Sequence, residues 1–148
     1  MNYTISEMAK KLGVAPSTLR YYDKEGLLPF VERSNSGARV FKDSDFEWLQ
    51  IIDCLKKTGM QLKDIKNFVE MAMRGDETIE PRLQLIINQK VKVQKQIDEL
   101  SEVLKILDFK EWYYTTAKEN GTTEIPRDMN ENELPDEFKS VRKKLRGI

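Results

Sequence analysis

The side chains between residues 16 and 26 are the ones in this chain that could recognise a polyanion. A guanidinium and an ammonium bind phosphate oxygens, and a guanidinium also pairs with the two acceptors of a guanine. Hydroxyl and phenol groups add uncharged donors to the same phosphates. The segment PSTLRYYDKEG supplies all of these groups, at Ser17, Thr18, Arg20, Tyr21 and Lys24. This composition predicts a DNA-contacting element.

Two short helices are predicted to position these groups. Pro16 suits the first turn of a helix, because its missing N–H would have no partner there, and Gly26 suits the end of one. The preceding segment predicts a partner helix, with Ser6 as a fair N-cap and an apolar face that ends before Gly13. Two helices joined by a glycine-containing turn indicate a helix-turn-helix, whose second helix enters the major groove of DNA.

An ordered set of motifs extends through the first half of the chain and resembles the MerR family of bacterial transcription regulators. The matching residues are Tyr3-Thr4-Ile5, Ser6 to Ala9, Gly13-Val14, Ser17 to Tyr22, Gly26-Leu27-Leu28, Arg33, Gly37 to Phe41, Asp45 and Lys56 to Met60. The resemblance implies a mainly all-α fold in three parts. These are a winged helix-turn-helix domain over 1–75, a dimerisation helix over 76–117, and a C-terminal loop with a short helix over 118–148.

The segment 30–41 predicts a β-hairpin, because two short β-prone stretches flank the turn-forming sequence Asn35-Ser36-Gly37. A hairpin after a helix-turn-helix is a wing, and Arg33 and Arg39 would flank it. We expect both arginines to contact DNA, although exposed arginines are also common in loops without any ligand. Lys56 matches a basic, phosphate-contacting position in the family, and a solvated lysine is the alternative.

Two further helices are predicted to support the recognition helix. Asp43 or Ser44 is expected to cap the first, which runs to about Lys57, and the second begins at Gln61 or Leu62 and runs to about Arg74. The first has an apolar stripe at helical spacing, which Trp48 and Ile51 would widen. A short β-strand at 3–5 is expected to pack beside the wing.

The longest predicted helix, from about residue 78 to 117, carries an apolar seam that alternates steps of three and four. The seam consists of Leu83, Ile86, Val93, Ile97, Leu100, Leu104 and Leu107, with Lys90 as its one polar member. This is the a/d pattern of a coiled coil, and no other stretch of the chain is long enough to cover it. The sequence therefore predicts a coiled coil with a partner chain, and the resemblance implies a homodimer whose two helices run antiparallel.

Composition excludes several classes of protein. The chain has 148 residues, no histidine and one cysteine, so it cannot assemble an ordinary Cys/His metal site or an internal disulfide. No constellation supports an enzyme, and we expect no cofactor. No apolar run could span a membrane and no signal peptide begins the chain, so the cytoplasm is expected. Net charge is zero, yet basic residues outnumber acidic ones by seven to three between residues 10 and 42.

Cys54 and the C-terminal aromatic residues each leave two interpretations open. Cys54 matches the lone cysteine proposed as the sensor in the aldehyde- and thiol-stress branch of the family. Lys56 and Lys57 would lower its pKa and Asp53 would oppose them; alternatively, Cys54 fills the core. Trp112-Tyr113-Tyr114 either packs against a partner's DNA-binding domain or lines a ligand pocket. After a loop over 118–133, a helix from residue 134 would dock back or fray.

What the resemblance implies for function is promoter binding as a dimer. MerR-like regulators bind double-stranded promoter DNA with a long spacer and distort it, so that RNA polymerase engages both promoter elements. Metal-sensing relatives carry a cysteine where this chain has Thr78, and drug-sensing relatives carry a much larger C-terminal domain. We therefore expect this chain to sense neither metals nor drugs in those ways. The alternatives are a MerR-like DNA binder without an effector, or a helical adaptor protein that does not bind DNA.

Overall fold

The computed structural model describes residues 1–148, which divide into two compact units, Met1–Lys92 and Val93–Ile148. Helices dominate both units, and a small antiparallel sheet lies in the first. In chain order the elements are β1 (Asn2–Tyr3), α1 (Ile5–Leu12), α2 (Pro16–Lys24), β2 (Glu32–Arg33), β3 (Arg39–Lys42), α3 (Asp43–Lys57), α4 (Leu62–Met73), a 3-10 turn (Asp76–Thr78), α5 (Ile79–Asn120), α6 (Glu124–Asp128), a 3-10 turn (Glu131–Glu133) and α7 (Asp136–Arg146).

The first two helices form the predicted helix-turn-helix, with one correction at its start. Ser6 is not the N-cap of α1 and lies inside the helix. The cap is Thr4, whose side-chain oxygen accepts a hydrogen bond from the Glu7 N–H at 3.3 Å, while the Thr4 N–H donates to the Glu7 carboxylate at 2.8 Å. This reciprocal pair satisfies two N–H groups that the helix itself leaves open. Pro16 opens α2 as predicted.

The predicted wing is present as a three-stranded sheet in the order β1-β3-β2. Tyr3 pairs with Phe41, and Arg33 stands directly opposite Arg39 in the antiparallel ladder. The hairpin turn is closed by the Ser34 N–H, which donates to the Ala38 carbonyl at 2.8 Å. Gly37 in this turn has φ +84°, a conformation that a side chain would disfavour.

Helices α3 and α4 complete the core of the first unit. Neither Asp43 nor Ser44 caps α3; instead Asp45 accepts a hydrogen bond from the Lys42 N–H at 2.8 Å. Ile51 was expected to widen the buried stripe of α3, but it faces away from the core and is exposed. Trp48, the other residue expected to widen the stripe, packs against the core. The fully buried side chains with the largest volumes are Tyr22, Phe41, Met8, Leu19, Leu27, Leu49, Ile52 and Ile65.

The second unit contains more helix than the sequence predicted. Helix α5 continues to Asn120, and α6 and a 3-10 turn occupy much of the segment 118–133 that was expected to be a loop. Polar residues had suggested that loop, but exposed helix surfaces are also polar.

No helix in the chain combines the length and apolarity that crossing a membrane requires.

The C-terminal helix α7 does not fray. It packs against α5 through aromatic side chains. The ring of Phe138 on α7 lies 5.6 Å from the rings of both Phe109 and Trp112, centroid to centroid. Arg142 on α7 is buried and donates to the Met129 carbonyl at 2.7 Å, whereas Leu145 on the same helix is exposed. The chain's own tail thus covers Trp112, a packing that neither of its two interpretations anticipated.

Candidate DNA-binding surface

Helix α2 separates its buried and exposed side chains cleanly. Leu19 and Tyr22 are fully buried, whereas the side chains that could contact DNA at steps of three and four are all exposed: Ser17, Arg20, Tyr21 and Lys24. Residues at i, i+3, i+4 and i+7 share one face of a helix, so these four form one surface. Thr18 lies at the edge of this surface and is half-buried.

The two cations of this surface have no partner within the chain. Arg20 and Lys24 are exposed, and neither forms an ion pair or a side-chain hydrogen bond. An anion can therefore bind them without breaking an internal contact. Because no internal ion pair competes with phosphate for Arg20 and Lys24, the exposed face of α2 is suited to binding a polyanion.

Lys56, predicted as a phosphate contact, lies beside the phenol face of α2. Its ammonium is 5.6 Å from the ring centroid of Tyr21 and 5.1 Å from that of Tyr22. Both distances are within the range of a cation–π interaction, which fixes the ammonium next to the exposed Tyr21. Tyr22 packs beneath the helix, and its buried hydroxyl has no hydrogen-bond partner. Burial raises the pKa of this phenol, and the nearby Asp53 adds to the rise.

The two wing arginines are held by an acidic residue of α2 that the sequence analysis did not identify as functional. Asp23, near the end of α2, accepts a hydrogen bond from Arg33 at 2.8 Å, and the same carboxylate oxygen forms an ion pair with Arg39 at 2.5 Å. Arg33 also donates to the Gly37 carbonyl at 2.9 Å. Lys42 and Glu32 form a further ion pair between the strands. The one available signal for Asp23 was its position as a lone acidic group between Arg20 and Lys24.

Cys54 lies on the exposed side of α3, so the interpretation of this residue as a core filler is wrong. Its neighbours Ile52 and Leu55 take the buried positions of this turn. The two lysines that follow it in the sequence, Lys56 and Lys57, have other partners. Lys57 pairs with Asp53 at 2.9 Å, a contact that raises the pKa of that lysine, and Lys56 lies over the tyrosine rings.

The predicted seam of α5 is uncovered within the single chain. Six of its seven apolar members are exposed, with Leu100 the most exposed at 68%, and Val93 is half-buried. Lys90, the polar member, is exposed as well. No group of three or more histidine, cysteine, aspartate or glutamate side chains is arranged to hold a metal ion.

A helix-turn-helix followed by a hairpin wing and two supporting helices defines a winged helix-turn-helix DNA-binding protein. The family model described as "MerR HTH family regulatory protein" matches residues 3–72. An uncharacterised HTH-type transcriptional regulator of Haemophilus influenzae is 50% identical over 122 residues, which are 82% of this chain and 90% of that protein. This chain belongs to the MerR family of transcriptional regulators.

Two solved structures support the assignment. HiNmlR, described as a MerR family regulator lacking the sensor domain and bound to promoter DNA, is 49% identical with a TM-score of 0.78, over 84% of this chain and 98% of that one. A MerR family regulator of Bacillus thuringiensis is 41% identical with a TM-score of 0.70, over 74% and 96%. These relatives are transcriptional regulators and not enzymes, which confirms the non-enzymatic class predicted from the sequence.

Proposed function

We propose that this chain binds double-stranded promoter DNA as a homodimer, through the exposed face of α2 and the wing. The observation that carries the proposal is the pair of unpartnered cations, Arg20 and Lys24, on one face of a helix-turn-helix recognition helix. The promoter complex of HiNmlR supports it, because that protein aligns over most of this chain at 49% identity.

Each contact residue then has a distinct task. Arg20 reaches a guanine edge or a phosphate, and Ser17 and Thr18 donate hydrogen bonds from the first turn of α2. Tyr21 donates its hydroxyl to a phosphate, and Lys56 holds that ring and adds charge beside it. Lys24, Arg33 and Arg39 supply further charge to the backbone. Most of these contacts set the position of the protein and only a few read sequence.

The exposed seam of α5 supports pairing of two chains. Leucine, isoleucine and valine at a/d spacing gain about 1.5–3 kcal/mol each when they pass from water to a packed interface. A second copy of the same helix presents the matching surface, as in the antiparallel pairs that the family resemblance implies. Two DNA-binding units on one dimer would read a two-fold related operator.

The proposed mechanism is activation by distortion of the promoter. Bending a site of this size costs about 1–6 kcal/mol, which the contacts of two recognition helices and two wings can offset. RNA polymerase would then engage both elements of a promoter whose spacer is otherwise too long. Such a regulator works where the promoter is, in the bacterial cytoplasm.

The exposed thiol of Cys54 is accessible to an electrophile, which supports a sensor role for this residue. A thiolate adds to the carbonyl carbon of an aldehyde, and the carbonyl oxygen takes a proton, which gives a hemithioacetal. The alternative is a DNA binder without an effector, and the description of HiNmlR as lacking the sensor domain favours it. The helical adaptor interpretation is not favoured, because the basic side chains of α2 and the wing are all present.

Two assays on the promoter upstream of this protein's own gene test these proposals together: run-off transcription and nuclease footprinting. We expect added protein to increase transcript and to protect a two-fold related site from nuclease. If Cys54 is the sensor, a small aldehyde changes the transcript level for the wild type and leaves the Cys54→Ala variant unchanged. Equal responses in both proteins would reject the sensor role. No protection of any promoter fragment would reject the DNA-binding proposal.

A further inference from the structure

Asp23 joins the recognition helix to the wing. Its carboxylate is only 16% exposed and receives one guanidinium from β2 and one from β3. Arg33 and Arg39 are also direct partners across the strand ladder. Like charges directly opposite one another destabilise a sheet, so this pair needs a counter-ion. Asp23 supplies it from the neighbouring helix.

The position of Asp23 is unfavourable for DNA binding if charge alone is considered. A carboxylate between Arg20 and Lys24 repels phosphate and cancels part of the basic charge of the surface. Glu25, two residues further on, has the same charge but is exposed and forms no ion pair. The two acids therefore carry the same charge and lie two residues apart, but only Asp23 contacts the wing.

We infer that Asp23 is a positioning residue for DNA recognition, which fixes the wing against α2 so that both reach the DNA in one preset geometry. The bond from Arg33 to the Gly37 carbonyl extends this hold to the tip of the hairpin. The inference rests on the proposed function, because it assigns a task within the same DNA-binding surface.

The Asp23→Asn variant separates positioning from charge, with Glu25→Gln as the matched control. Each substitution removes one negative charge and keeps the size of the side chain. We expect Glu25→Gln to bind promoter and unrelated DNA slightly more tightly. We expect Asp23→Asn to lose about tenfold in promoter affinity, as for a lost charge-assisted hydrogen bond, while its affinity for unrelated DNA at low salt does not fall.

Asp23→Glu, which keeps the carboxylate, should recover most of the promoter affinity. The inference is overturned if Asp23→Asn tightens promoter binding as much as Glu25→Gln does. It is also overturned if Asp23→Asn weakens promoter and unrelated DNA equally.

Hydrogen exchange of the wing amides tests the same contact without DNA. The Ser34 and Gly37 N–H groups, which close the hairpin, should exchange faster in Asp23→Asn than in the wild type, and those of α4 should not. Should Asp23→Asn fail to fold, Arg33→Gln removes one of the two donors and should also speed exchange in the wing. Unchanged wing exchange refutes the inference and leaves the proposed function intact, whereas absence of DNA binding by the wild type refutes the proposed function and the DNA-recognition task of Asp23 with it.

Discussion

Replacing Leu100 with lysine should separate the dimer while leaving the single chain folded. In the chain alone Leu100 is 68% exposed, so the substitution removes few internal contacts. In a dimer each copy loses the burial of one leucine, worth about 1.5–3 kcal/mol, so two copies lose about 3–6 kcal/mol. The dissociation constant of the dimer should therefore rise by about two to four powers of ten.

Sedimentation equilibrium of wild-type and Leu100→Lys protein measures this change, and circular dichroism confirms that both remain helical. Glu99→Lys is the matched control: it introduces a lysine at the adjacent position of α5, outside the seam. We expect that control to dimerise like the wild type. Promoter affinity should fall in Leu100→Lys together with dimerisation, because one DNA-binding unit then contacts only half of the operator.

A Leu100→Lys protein that dimerises as tightly as the wild type would refute the assignment of the seam as the interface. Equal weakening by Leu100→Lys and Glu99→Lys would mean that added charge, and not loss of the apolar seam, controls association.

Two further changes concern the stability of the DNA-binding unit. Tyr22→Phe removes a buried hydroxyl without a partner and should raise the free energy of unfolding by about 1 kcal/mol in thermal melts; a loss of stability would reveal a hydrogen bond to that hydroxyl. Hydrogen bonds from Tyr3, the N-terminal ammonium and Lys11 lower the pKa of Asp43 from 3.8 to about 2. Stability should therefore decrease as the pH falls from about 4 to about 2. Asp43→Asn should flatten this part of the stability profile, and an unchanged acid profile would contradict the assignment.

Local sequence patterns were sufficient for most of the first unit. The turn glycines, Pro16 and the apolar spacing of α3 and α4 each act within a few residues, so the helix-turn-helix and the wing were predictable. The cap of α1 was predictable too, because Thr4 and Glu7 have the spacing of a capping box. Ser6 was preferred because it stands directly before the segment from Glu7 to Leu12, which carries the apolar face.

Contacts between distant residues were not predictable in the same way. Asp23 meets arginines 10 and 16 positions away, and no local pattern shows which of the nearby cations it will bind. Docking of α7 depends on Phe138 reaching Phe109 and Trp112 across the intervening tail. The exposure of Cys54 likewise depends on the rotation of α3 against the core, which its position beside the apolar stripe left undecided.

Titration of promoter DNA with Arg20→Ala at several salt concentrations is the most direct test of recognition by α2. Arg74→Ala is the control, since Arg74 is an exposed arginine at the end of α4 without an ion pair. We predict that Arg20→Ala weakens promoter binding by about 1–3 kcal/mol, while Arg74→Ala changes it little. Equal affinity of Arg20→Ala and wild-type protein for the promoter would contradict the assignment of α2 as the recognition helix.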